Sequence, residues 1–348
     1  MTQRTTYTLI FVAALLIFLA LLPFAREKSD LPFKNVILIG WDGVQKNHFD
    51  EMLAEKKLPY FQKYFLDGGT CVDTFITTGT TQTKPGWSEI LTGYGPAKTG
   101  VFSNLEYAPI PQGYTLFERL EEYFGNDNIF TIFISGKKNN MAATGPHKVC
   151  TNCLKRDPLT NASFRRRDVD SYESFLQKRP DQLIFEDRKG EPYFITKNYI
   201  DVYHNEIGES GNVLRSALSH IRALNKEKRF FMFLHYEEPD RQGHDYGENS
   251  LEYDSAMIEI DKRLEGLAEG LREMGVWDNT LLYITTDHGM NEGANEHTNA
   301  PETFFCSIDK ENLRENGDRK DIVPTILGRY GIDVEKLTPS FDGTSLTR

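Results

Sequence analysis

Three short apolar, β-rich runs each deliver an acidic or imidazole side chain at the carboxyl end, and few folds accommodate that pattern. The sharpest is Thr280-Leu-Leu-Tyr-Ile-Thr-Thr-Asp-His-Gly289. Leu281 to Ile284 reads as a buried parallel strand, with Asp278 and Asn279 in front and Gly289 behind. Asp287 and His288 follow it directly. Asn35-Val-Ile-Leu-Ile-Gly40 is a second strand, and it presents Asp42. Arg229-Phe-Phe-Met-Phe-Leu-His235 is a third, running into a loop that holds Asp240 and His244. Open α/β sheets bind ligands beyond the carboxyl ends of their strands. The three ends are therefore predicted to converge.

Helical patterns separate these strands. They cover residues 46–55, a segment opened by Pro85 and closed by Gly93, then 199–226, 253–274 and 321–331. Ile260, Leu264, Leu267 and Leu271 recur at helical spacing. Residues 128–135 and 303–308 read as further strands, and 58–66 as an aromatic-rich core segment. Strand–helix alternation predicts one α/β domain, a largely parallel central sheet with helices on both faces. The pattern weakens over 136–197, which reads as a cap inserted over the site. It holds Arg165-Arg166-Arg167, a solvated loop or a phosphate clamp.

Residues 8–25 are almost uninterruptedly apolar. At 18 residues the run lies between a signal-peptide core and a full span of about 20. It lacks a clean small-residue cleavage site, so residues 1–30 read as an uncleaved signal anchor, with a cleaved signal peptide as the alternative. Either places residues 31–348 outside the cytoplasm. There Cys150 and Cys153 could close a small loop, whereas spacing does not pair Cys71 with Cys306. The net charge of −11 disfavours nonspecific contact with duplex nucleic acid. Oligomeric state has no signature here.

His297 follows His288 by nine residues. The side chains suffice for two metal sites, Asp42, Asp287 and His288 in one, Asp240, His244 and His297 in the other. Two ions roughly 4 Å apart can clamp both the attacking and the leaving oxygen of a displacement at phosphorus. Thr83 stands where a helix N-terminus favours anions, as an N-cap, a nucleophile or both.

Gly40-Trp-Asp42-Gly, Thr83 ahead of Pro85 and Thr92-Gly93, Glu238-Pro-Asp240-Arg-Gln-Gly-His244, Thr286-Asp-His288-Gly-Met and Asp321-Ile-Val-Pro-Thr resemble the alkaline phosphatase superfamily. The similarity is greatest to its type I phosphodiesterase/nucleotide pyrophosphatase branch and spans about residues 35–345. It implies two zinc ions, with manganese as the alternative. It adds Thr83 to the ligands Asp42, Asp287 and His288 and makes Thr83 the nucleophile. It also implies that Asn104, 21 residues after Thr83, holds a phosphate oxygen. The implied substrate is a small-molecule or lipid phosphate ester. In this branch the last histidine lies much further along the chain. The short His288–His297 spacing is closer to sulfatases and phosphoglycerate mutases. Phosphomonoesterase, phosphonate hydrolase and lipid head-group phosphotransferase activities stay open on the same site. Sulfatases need a Cys/Ser-x-Pro-x-Arg pattern that Thr83-Lys84-Pro85-Gly86-Trp87 lacks. A catalytically silent receptor or scaffold is disfavoured by the intact Thr83 and ligand set.

Overall fold

The register of three parallel strands sets the whole arrangement. The computed structural model describes residues 33–150, 185–224 and 228–347. In chain order its principal elements begin with β1 (Asn35–Trp41), α1 (Lys46–Ala54), β2 (Thr70–Cys71), β3 (Thr74–Ile76), α2 (Thr83–Thr92) and α3 (Leu116–Phe124). Next come β4 (Ile129–Ser135), β5 (His147–Cys150), β6 (Phe185–Arg188), β7 (Val202–His204), α4 (Ser210–Ala223) and β8 (Arg229–Tyr236). The chain continues through α5 (Glu238–Tyr246), α6 (Leu251–Glu273), β9 (Thr280–Thr285), β10 (Glu302–Thr303), β11 (Phe305–Ser307), β12 (Asn316–Gly317) and α7 (Ile322–Arg329). The central sheet has the order β2-β11-β9-β1-β8-β4-β7. β9, β1, β8, β4 and β7 are parallel, and β11 and β2 run antiparallel at one edge. Gly40 of β1 sits beside His235 of β8 and Thr285 of β9, so three strands end in one row.

Helices cover both faces, which is why the central strands are apolar throughout rather than alternating. Ile37, Ile39, Met232 and Leu234 share a core with Val213 of α4 and Met257, Ile260, Leu264 and Leu267 of α6. Each such buried side chain contributes about 1.5–3 kcal/mol relative to an exposed one. On the other face Phe117 of α3 packs edge-on to Phe231, and Trp87 of α2 lies against Phe233 and His235. At the antiparallel edge Cys71 and Cys306 are register partners and form a disulfide, a pairing that sequence spacing left open.

Two expectations change. Residues 200–209 are not helical. Val202–His204 add an edge strand to β4, and the helix starts at Ser210. The segment around Asp240 and His244 is a helix, not a loop, with Pro239 in its first turn. Residues 62–67 wind as a π-helical turn. Within 136–197, β5 and β6 pair as a two-stranded sheet separate from the central one. The apolar run 8–25, Cys153 and Arg165 to Arg167 lie outside the described residues. Among the described residues no helix is long and apolar enough to cross a membrane.

Candidate active site

Most of the site residues stand at or just beyond the end of a regular element that fixes them. Asp42 follows β1 and is fully buried. Its Oδ2 accepts from Trp87 Nε1 at 3.1 Å and His235 Nε2 at 2.9 Å. Gly43 then turns the chain with φ +70°, and a Cβ there would lie 2.7 Å from Asp240 Cβ. Only glycine allows so close an approach with that φ. Asp240 N donates to Asp42 O at 3.0 Å, which locks α5 onto the end of β1. Because α5 is helical, Asp240 and His244 lie on one face. Asp287 and His288 follow β9, both fully buried. Arg319, also fully buried, donates to Asp287 O at 2.6 Å, to Thr80 O and to Glu89. It thereby ties the end of β9 to the entrance of α2.

Thr83 is the first residue of α2, and Gln82, not Thr83, is the N-cap residue. The first turn offers an anion fewer backbone donors than a free helix end. Lys84 N–H goes to Asn104 Oδ1 at 2.9 Å, Gly86 N–H goes to Gln82 O, and Pro85 has none. With Oδ1 engaged, the Asn104 amide nitrogen is the donor that side chain can offer a ligand. Thr83 Oγ1 lies 3.4 Å from His288 Nε2 and accepts from Lys137 Nζ at 3.3 Å.

Among the described residues two clusters of metal-ligand type form, Asp240 with His244 and His297, and Asp42 with Asp240 and His288. The first reproduces a set expected from sequence. The second joins Asp42 and His288 as expected but brings Asp240 in, so that Asp240 bridges both. Asp287 stands beside it, with Oδ2 3.3 Å from His288 Nε2.

Charge and hydrogen bonding show that this donor set fits divalent cations. His288, His244 and His297 direct Nδ1 at backbone carbonyls of Gly289, Asn295 and Thr81, at 2.9, 2.8 and 2.5 Å. That leaves each Nε2 to face the carboxylates, the tautomer a metal ligand needs. His297 Nε2 and His244 Nε2 are 3.2 Å apart, so a proton or a cation must lie between them. Asp240 Oδ1 and Asp287 Oδ2 are buried without a well-formed hydrogen bond. Burial pushes the Asp287 carboxyl well up, and the Asp42 charge adds to this. Burial opposes ionisation of Asp42 as well, but the Lys137 ammonium overcomes it and brings Asp42 down to about 2. Asp240 is held well below the carboxylate range in the same way. Burial and the neighbouring His297 bring His288 down to about 3, keeping it neutral. One ammonium does not neutralise three carboxyl groups, and divalent ions would.

Lys137 and His235 were missed by sequence reasoning. Lys137 Nζ donates to Asp42 Oδ1 at 2.9 Å and Asp240 Oδ2 at 2.5 Å. Its signal was available, since Gly136-Lys137 stands at the carboxyl end of β4, but the weak pattern beyond it drew it into the cap. His235 ends β8 as an apparent core residue. Its Nδ1 accepts from Ser135 Oγ at 2.7 Å while Nε2 holds Asp42. The loop carrying His297 has its own support: Gly293 N donates to Glu248 Oε2 at 2.9 Å, and His48 bridges Glu248 and Asp254.

Comparison with known proteins agrees with this geometry. The chain is 23% identical over 271 residues to bis(5'-adenosyl)-triphosphatase of Homo sapiens, covering 76% of this chain and 49% of that protein. It is 30% identical over 128 residues to 2,3-bisphosphoglycerate-independent phosphoglycerate mutase of Gracilaria tenuistipitata var. liui, covering 33% of this chain and 24% of that one. The chain spans half or less of the length of these relatives. A protein of the alkaline phosphatase superfamily from Vibrio parahaemolyticus shares the fold, with a TM-score of 0.55 at 14% identity, over 91% of this chain and 70% of that one. The family model for type I phosphodiesterase/nucleotide pyrophosphatase matches residues 36–335. With nearly the whole described sheet and every clustered ligand inside that match, the chain belongs to the type I phosphodiesterase/nucleotide pyrophosphatase family.

Proposed function

We propose that the protein is a phosphodiesterase or nucleotide pyrophosphatase that uses two divalent metal ions, zinc before manganese, and a covalent phosphothreonine at Thr83. The observation that carries this reading is the place of Thr83 Oγ1, 3.4 Å from His288 Nε2 and 3.3 Å from Lys137 Nζ, at the head of a buried helix. Asp42, Thr83, Asp287 and His288 would hold one ion, and Asp240, His244 and His297 the other. The imidazole content favours zinc. Bound there, the ions would lower the pKa of a coordinated hydroxyl and offset charge on the phosphoryl oxygens. Thr83 Oγ1 gives its proton to solvent and attacks phosphorus while the bond to the departing alcohol or phosphate breaks, that oxygen leaving with the electron pair and taking up a proton from water. Water then cleaves the phosphothreonine and regenerates Thr83. The Asn104 amide and the Lys137 ammonium stabilise the equatorial oxygens.

Residues 31–348 would form the catalytic domain with 136–197 as its cap. Residues 1–30 would anchor it outside the cytoplasm, where a Cys71–Cys306 disulfide persists. Thr83→Ala is expected to abolish hydrolysis of bis-p-nitrophenyl phosphate while retaining both ions, and acid-quenched wild type should contain phosphothreonine. An active Thr83→Ala protein would sink the covalent mechanism. The short His288–His297 spacing and the similarity to a mutase favour a second reading, a phosphomonoesterase or phosphotransferase. Faster turnover of p-nitrophenyl phosphate than of the diester would decide for it.

A further inference from the structure

The loop that delivers His297 has no helix or strand of its own, since none lies between β9 and β10. Glu292, Gly293, Asn295 and Glu296 are exposed. Within the loop Asn291 N donates to Glu296 O at 2.9 Å and Ala294 N to Asn291 O at 3.0 Å, with Gly293 at φ +64°. Yet this loop serves one ligand cluster twice. It carries His297, and its Asn295 carbonyl accepts from His244 Nδ1 at 2.8 Å, which orients the other imidazole of that cluster. A loop exposed over most of its length needs an anchor outside itself to hold two imidazoles in place.

Glu248 meets that need. It lies between α5 and α6 and is fully buried. Its backbone N–H donates to Ala294 O at 2.9 Å, and its Oε2 accepts from Gly293 N at 2.9 Å. Two consecutive loop residues are thus gripped, and the next is Asn295. Glu292 also accepts, from Gln45 Nε2 at 3.1 Å and Asn249 Nδ2 at 3.3 Å, but it is exposed, where water competes for those bonds. A buried carboxylate is costly unless it is paired and hydrogen-bonded. His48 of α1 is the partner. Its Nδ1 meets Glu248 Oε1, and its Nε2 meets Asp254 Oδ1 of α6 at 2.7 Å. Ionised carboxylates only accept, so an imidazole that faces one on each side carries both protons and is a cation. Lys57 Nζ holds the other Asp254 oxygen at 3.1 Å, and the Tyr253 ring packs edge-on against His48 at 5.4 Å.

We propose that Glu248 is a positioning residue for the Asp240–His244–His297 metal site, with His48 as the cation that holds it ionised and in place. The inference rests on the two-metal reading and adds the residues that preorganise one of its sites. The hydrogen bonds of Glu248 go to the loop and to His48, not to a clustered ligand. It acts on His297 through the loop backbone and on His244 through the Asn295 carbonyl. The Asp42–Asp240–His288 cluster draws on strand ends and on Lys137 instead. Loss of Glu248 should therefore weaken one site and spare the other.

The test is calorimetric titration of the full chain with zinc. Wild type is expected to show two binding steps, and His297→Ala identifies the step that belongs to this site. Glu248→Ala should weaken that step about 10–100-fold and leave the other within about three-fold. His48→Ala should weaken the same step, because it strands the buried carboxylate, and it decides the matter where Glu248→Ala does not fold. Glu248→Gln should bring the affinity back to within about three-fold of wild type, since its amide oxygen accepts from Gly293 N–H and its amide N–H donates to a neutral His48. A general loosening of the fold would weaken both steps and would not be reversed by glutamine. Unchanged affinity in both alanine variants, parallel weakening of the two steps, or a Glu248→Gln protein as weak as Glu248→Ala overturns the positioning role but leaves the two-metal reading intact. A folded wild type that binds fewer than two zinc ions overturns both.

Discussion

Replacing Lys137 by methionine would test the charge balance of the site directly, because Asp42 and Asp240 share its ammonium. The side chain is 13% exposed, so little solvent screens the contacts. In the metal-free protein the Lys137 charge opposes burial and lowers Asp42 from 3.8 to about 2, a displacement worth about 2 kcal/mol. Asp240 moves in the same direction. Removing one side of a buried ion pair costs about 3–5 kcal/mol in general, and the two estimates agree in scale. A carboxylate whose pKa falls on folding stabilises the fold above its unfolded value and loses that contribution as pH falls through the folded value. The difference between wild type and Lys137→Met is therefore complete at pH 7 and closes as pH falls from about 4 to about 2. At roughly 2 °C per kcal/mol for a domain of this size, metal-free Lys137→Met should melt roughly 6–10 °C lower at pH 7. Saturating zinc should remove most of the gap, because divalent charge replaces the ammonium. Equal melting of the two metal-free proteins, or a gap that zinc leaves unchanged, would refute the reasoning.

Gly43→Ala should destabilise by roughly 1–3 kcal/mol, since its Cβ meets Asp240 Cβ at 2.7 Å in a left-handed backbone, and calorimetric zinc titration should show one site weakened. Replacing both Cys71 and Cys306 by serine should cost about 2–5 kcal/mol, and dithiothreitol should lower the Tm of wild type but not of the double variant. His48 is held above 6.5, first by its Glu248 hydrogen bond and then, against burial, by Asp254. Its stabilisation is therefore complete below pH 6.5 and lost as pH rises through the folded value. His48→Gln should lower the urea midpoint at about pH 6 and approach wild type at about pH 9.

The fold and most residues of the two clusters were legible because they rest on local rules. Strand ends marked Asp42, Asp287 and His288, and helical period marked α6. The segment around Asp240 was harder. Its Pro and Gly read as loop, yet Pro239 falls in the first turn of α5, where its missing N–H costs nothing. Residues 200–209 misled in the other direction, because a three-residue edge strand is too short to impose a period.

The sequence by itself determined the parallel α/β class, the nucleophile candidate and the types of side chain available to metals, since each depends on residues close together in the chain. Tertiary structure alone decided that Asp240 bridges both clusters, that Lys137 and His235 support Asp42, and that Cys71 meets Cys306. The Lys137–Asp42, His235–Asp42 and Cys71–Cys306 contacts join residues separated by 95 to 235 positions. Those at Asp42 arise where β1, β4 and β8 end in register, and the disulfide where β2 pairs with β11, so only the packed sheet brings these residues together.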